Sequence, residues 1–209
     1  LLVSAIWGGT WLVIRDQIAS VPASWSISYR FIVAALGMFA LAAIRRERLS
    51  LAPGGMRWAC LLGLSQFTLN FAFVYNAESY ITSGLVAVMF ALLVVPNAIF
   101  GRIFLGQQIT GPFVVGSAIA AIGVAMLFAH EWQSSPATLS EVLLGAGLTV
   151  CGILSASAAN ITQAMEGAKK QPFLALLAWS MAIGVVINSV FAWATSGPPQ
   201  FDTRTSYSL

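Results

Sequence analysis

Arg30 is a basic residue inside a long apolar run, and its planar fork of donors matches a carboxylate. A charge at the centre of a membrane-spanning helix costs about 2.5–3.5 kcal/mol on insertion scales. Near a helix end the long side chain can instead snorkel to the headgroups. Two uses therefore compete for Arg30: a gate or anchor for a carboxylate-bearing solute, and a snorkelled cation. Glu78, at the edge of another apolar run, is a suitable partner or vestibule acid. Gln66 and Asn70 stand four apart, so a regular helix puts both amides on one face, with Phe73 and Ala77 continuing it. Amides inside a span avoid lipid; they contact a solute or bond a neighbouring helix. Asn97, Asn160, Gln163 and Asn188 pose the same choice. Trp7 and Tyr75 are amphipathic aromatics able to line a cavity or to serve as packing, and Thr10 is a small polar group in the first apolar run.

Catalytic chemistry finds little support in these residues. His130 is the single histidine and falls in a polar stretch. There is no His-Glu-x-x-His pattern, no acid pair within the apolar runs and no Ser/His/Asp set. Cys60 and Cys151 lie in apolar runs without metal or disulfide spacing, and read as small buried hydrophobes. The expectation is no enzyme, no cofactor and no metal.

The elements that hold these residues follow from composition. Charged residues are 8% of the 209 positions and hydrophobic residues 58%, with a mean hydropathy of +0.85. Soluble domains carry about 25% charged residues. So much apolar surface needs an apolar solvent, and the lipid bilayer is the partner that composition demands. The basic residues are scattered, which argues against nucleic acid.

A spanning helix takes about 20 apolar residues. Seven stretches qualify: 1–18, 24–44, 58–77, 82–100, 111–129, 141–163 and 173–195. Turn chemistry separates them at Pro22, Pro53-Gly54-Gly55, Asn76 to Thr82, Gly101-Arg102, Gly106 to Thr110, His130 to Ser140 and Lys169 to Pro172. One set of connections holds Arg45, Arg46, Arg48, Arg57, Arg102, Lys169 and Lys170, and the other only Arg15 and Arg204. The positive-inside rule puts the first set in the cytoplasm. Trp25 and Trp132 then fall at the outer interface and Trp58 at the inner one, where aromatic belts form. Gly116, Ala120 and Gly123 give the 111–129 span a face of small residues suited to close helix packing.

An internal repeat emerges at an offset of 150: Pro22 aligns with Pro172, Tyr29 with Trp179, and Thr10 with Asn160. Five spans per repeat is an odd number, so the second copy inserts upside down. Residues 1–130 form the first repeat and 141–209 the start of the second. This layout predicts an all-α integral membrane fold of ten helices, seven of them visible here. Inverted repeats around a midplane site are a transporter architecture.

The chain resembles the EamA family of the drug/metabolite transporter superfamily. The likeness rests on Trp7-Gly8-Gly9-Thr10, on Tyr29-Arg30-Phe31, and on the run Tyr75-Asn76-Ala77-Glu78-Ser79-Tyr80-Ile81-Thr82-Ser83-Gly84. Phe104-Leu105-Gly106 and the glycine-rich fifth span complete it. Two details depart from the family pattern: Gln107 stands where Glu is common, and Pro96 lies about two positions late. The resemblance implies alternating-access export of small metabolites, amino acids or drugs across a bacterial inner membrane, with a homodimer as one way to complete the cavity. The competing class is a seven-span receptor or another non-transport membrane protein.

The orientation is testable by single cysteines on intact cells. Position 133 is expected to react with an impermeant thiol reagent and position 46 to stay silent. The reverse pattern overturns the topology.

Overall fold

The computed structural model of the chain describes residues 21–134 and 138–199. The expected 1–18 span, with Trp7 and Thr10, lies outside them. Among the described residues there are six helices long and apolar enough to cross a membrane. They are α1 (Ala23–Ile44), α2 (Gly55–Ala77), α3 (Ser83–Leu105), α4 (Gly111–Ser134), α5 (Leu139–Ala164) and α6 (Phe173–Ser196). At 1.5 Å per residue each is about 30–40 Å long, enough for a hydrocarbon core of about 30 Å.

Local chemistry sets most boundaries. Pro22 and Pro172 cap α1 and α6, the first helical residues being Ala23 and Phe173. The start of α5 is a capping box: the Glu141 amide donates to Thr138 Oγ1, and the Thr138 amide donates back to the Glu141 carboxylate. Two expected breaks are corrected. Helix α3 runs through Gly101-Arg102 to Leu105, because one glycine is tolerated in a helix; the stop is Gly106, at φ +68°. Helix α4 continues through His130 to Ser134, because that stretch holds no glycine or proline and polarity alone does not end a helix.

Two helices are irregular inside their spans. Pro96 has no N–H to offer the Leu92 carbonyl, and a 3₁₀ turn at Ala91–Leu93 tightens α3 there. Helix α2 changes to π geometry over Gly63–Asn70 and returns to α at Phe71. Bonding to i+5 instead of i+4 turns everything beyond residue 70 relative to the phase a regular helix would have. Of Gln66, Asn70, Phe73 and Ala77, expected on one face, Asn70 and Ala77 are buried and Gln66 and Phe73 half-buried; the change of bonding shifts the phase of the last two relative to the first two.

Helices α1 and α6 make the most extensive contact in the fold and run antiparallel. Helix α2 packs its π stretch against both α6 and α5. Its close approach rests on glycines. A Cβ on Gly184 would meet Phe67 Cβ at 2.7 Å, and one on Gly63 would meet the Ser180 carbonyl at 2.8 Å. The expected packing role of Gly116 and Gly123 is not realised among the described residues, where a Cβ on either meets nothing within 4 Å. Among the described residues, helix α4 meets the core cluster through the partly buried Val124 and Phe128. Two further expectations change. Cys60 and Cys151 are exposed on outward helix faces; in a bilayer the outer face of a helix is as apolar as the inner one, so an apolar run does not imply burial. Trp25 is 5% exposed and turned into the bundle, whereas Trp132 is 44% exposed.

The glycine contacts predict a contrast. Gly184→Ala overpacks the α2–α6 contact and is expected to cost about 1–3 kcal/mol. Gly123→Ala adds a better helix former to an open face and is expected to cost nothing. Thermal unfolding of the two variants in detergent measures the difference.

Candidate functional site

The π stretch and the α1–α2 contact place one charged cluster. Arg30 is the eighth residue of α1, about 10 Å from its start. Its guanidinium lies over the Phe71 ring, 5.2 Å from the centroid. The Tyr75 hydroxyl lies within electrostatic reach of both Arg30 and Glu78. Arg30 is therefore turned towards α2. A half-buried cation over an aromatic face gains about 0.5–2 kcal/mol, which offsets part of the insertion cost.

Aromatic rings wall the cluster. Phe31 meets Phe71 and Phe67 edge-on, with centroids 4.7 and 5.1 Å apart. Trp25 stacks on Tyr29 at 5.6 Å. Tyr75 is fully buried, so a solute reaches its hydroxyl only if the helices part. Glu78 caps α2 and accepts a 2.7 Å hydrogen bond from Ser83 Oγ at the start of α3. Arg30 and Glu78, expected near the same end of their helices, both act electrostatically on the Tyr75 hydroxyl.

The amides separate into two kinds. Asn70 donates to the Gly152 carbonyl of α5 at 2.9 Å, and Asn188 to the Phe67 carbonyl of α2 at 2.8 Å. Both are buried and tie helices together. Asn160 instead lies on an open face of α5 and donates to Asn97 of α3 at 3.3 Å. Gln66 is half-buried and belongs to neither group. Further along α5, a cleft of about 240 Å³ is lined by Gln163, Lys169, Gln171, Phe173, Leu176 and Leu177. Several in-span hydroxyls bond four residues back in their own helix, as Ser28, Thr149, Ser155, Thr162 and Ser180 do. Such groups are satisfied locally.

A feature that composition and spacing do not reveal is a matching pair of latches. At one end of the α1–α6 pair, Trp25 Nε1 donates to the Gly197 carbonyl at 3.2 Å, beside a Ser24–Ser196 hydroxyl contact. At the other, Trp179 Nε1 donates to the Leu49 carbonyl at 2.9 Å, and Gln171 Oε1 accepts from the Ala52 amide at 2.8 Å. Each tryptophan from the early part of one helix thus grips the chain just past the end of the other.

Six apolar helices, a half-buried arginine and paired in-span amides define a polytopic α-helical membrane protein. The model of the EamA-like transporter family matches residues 1–129, and the chain belongs to that family. It is 29% identical over 171 residues to Protein PagO of Salmonella typhimurium, covering 78% of this chain and 56% of that protein. It is 24% identical over 188 residues to an uncharacterized transporter of Buchnera aphidicola, covering 85% and 63%. With a probable amino-acid metabolite efflux pump of Escherichia coli it shares 25% over 192 residues, covering 89% and 60%. The chain therefore spans less than two thirds of the length of these relatives. No solved structure matches it significantly.

Water at the open α3–α5 face can be probed with thiols, since only a hydrated cysteine ionises and reacts. With Cys60 and Cys151 replaced, Asn160→Cys is expected to react with a small hydrophilic maleimide, and Leu154→Cys, which faces outward on the same helix, to react far more slowly. Equal rates would show that Asn160 faces lipid.

Proposed function

We propose that the whole protein exports small carboxylate-bearing metabolites, of the amino-acid class, across the cytoplasmic membrane by alternating access. The observation that carries this reading is the Arg30–Tyr75–Glu78 cluster within an aromatic wall. A guanidinium held by rings and a phenol is a docking point for a carboxylate, and the facing acid suits an ammonium. The name of the Escherichia coli relative points to the same solute class.

Two further observations support alternating access around inverted repeats. Helices α1 and α6 begin on prolines 150 positions apart and run antiparallel, as upside-down copies must. Each end of the pair carries a tryptophan latch, Trp25 at one and Trp179 at the other, and a rocking mechanism opens one end while the other stays closed. In this reading residues 1–130 form one repeat and 141–209 begin the second, in a ten-helix whole with its basic connections in the cytoplasm. Asn97, Asn160 and Gln66, with Trp7 and Thr10 from the first span, then line the route from the cytoplasmic side.

Flux of radiolabelled amino acids into everted vesicles holding the full-length protein tests the site. A point charge does not replace a fork. Arg30→Lys is expected to lower flux at least about tenfold, corresponding to ~1.4 kcal/mol or more. Arg30→Ala should lower it further, and Glu78→Gln, at a helix end, less. Wild-type flux in Arg30→Lys at matched expression would remove Arg30 from the solute's path.

A further inference from the structure

The π stretch of α2 does not hold itself. Where bonding returns from i+5 to i+4, two consecutive carbonyls compete for one amide, so one of them needs another donor. In a bilayer no water supplies it. The stretch spans Gly63–Asn70, and within it the Phe67 carbonyl accepts the side-chain amide of Asn188 at 2.8 Å. Asn188 is 5% exposed and projects from the middle of α6. One turn away on α6, Gly184 lets Phe67 sit against its backbone. Phe71, the residue under the Arg30 guanidinium, is the first after the π stretch, and Tyr75 follows one turn on. The rotational phase of both residues is therefore set by whether residues 63–70 stay in π geometry.

We propose that Asn188 is a positioning residue for the solute site: its amide locks the π stretch of α2, and the lock sets the phase at which Phe71 and Tyr75 face Arg30. This rests on the site proposed above for its link to transport, though not for its structural half. Asn188 touches no solute and acts through α2. Because it belongs to α6, the lock also ties the Arg30 cluster to the helix whose two ends are latched to α1 and its flanking residues. A movement of α6 that pulled Asn188 from Phe67 would rotate the outer end of α2 and disperse the cluster.

The test uses Asn188→Leu, nearly isosteric without the donor, and Asn188→Ala in case the first variant does not fold. Each is made in the full-length protein in a cysteine-free background. Single cysteines at positions 74 to 77 report the phase of the last turn of α2 through their rates with a hydrophilic maleimide. In the parent, position 76, the exposed one of the four, should react fastest. Loss of the lock should move the maximum to a neighbouring position. A parallel transport assay should show KM raised at least tenfold with kcat within about twofold, and a non-additive combination with Tyr75→Phe. An unchanged labelling pattern in whichever variant folds overturns the lock. A shifted pattern with unchanged KM overturns the positioning role and, with it, the Arg30 cluster as the solute site. Additive effects of Asn188→Leu and Tyr75→Phe also overturn the positioning role.

Discussion

A polar group without a partner has no water to turn to inside a bilayer, and the arrangement of α2, α5 and α6 answers that constraint. Asn188 bonds the Phe67 carbonyl from α6, and Asn70 bonds the Gly152 carbonyl from α2. Each buried amide thus both satisfies a polar group and fixes the rotation of one helix against another. The hydroxyls that bond their own helix four residues back contribute no such register, and they are found on helix faces of every kind, from the exposed Thr195 to the fully buried Thr149.

Close approach is the second part of the same solution. A side-chain amide reaches a backbone carbonyl on a neighbouring helix only if the helices nearly touch, and Gly63, Gly184 and Gly152 are where they do. Apolar burial adds little net attraction between helices in lipid, because the tails are as apolar as leucine. The distribution of small residues therefore decides which faces meet. It also shows α4 to be different, since its glycines face no neighbour among the described residues.

The charged cluster depends on both. Arg30 costs free energy in a span unless its donors are used, and it finds Phe71 and Tyr75 because the π stretch has turned them towards α1. The same helices carry the tryptophan latches at their ends. The charged cluster, the helix register and the end contacts consequently all lie on α1, α2 and α6.

Hydropathy, turn residues and positive-inside asymmetry sufficed to place each described helix within a few residues, because in a bilayer a span must be long and apolar whatever its neighbours are. Proline at 22 and 172 marked the starts of α1 and α6, since it cannot donate inside a helix. The sequence also singled out Arg30 and Glu78 as a pair, from their charge and their shared end of the spans, and Tyr75 separately as an aromatic able to line a cavity. Neighbours and helical phase were less legible. Gln66, Asn70, Phe73 and Ala77 were set on one face by regular periodicity, and the π stretch changes the phase of the last two relative to the first two. Cys60 and Cys151 looked buried, and Gly116 and Gly123 looked like packing glycines, because in lipid an apolar or small face gives the same signal whether it meets a helix or a hydrocarbon tail. Local transfer energies made the length and polarity of the described spans legible in the residues alone; which faces met, and so which polar residues bonded across helices, needed the tertiary structure, because hydrogen bonds between distant helices fix it.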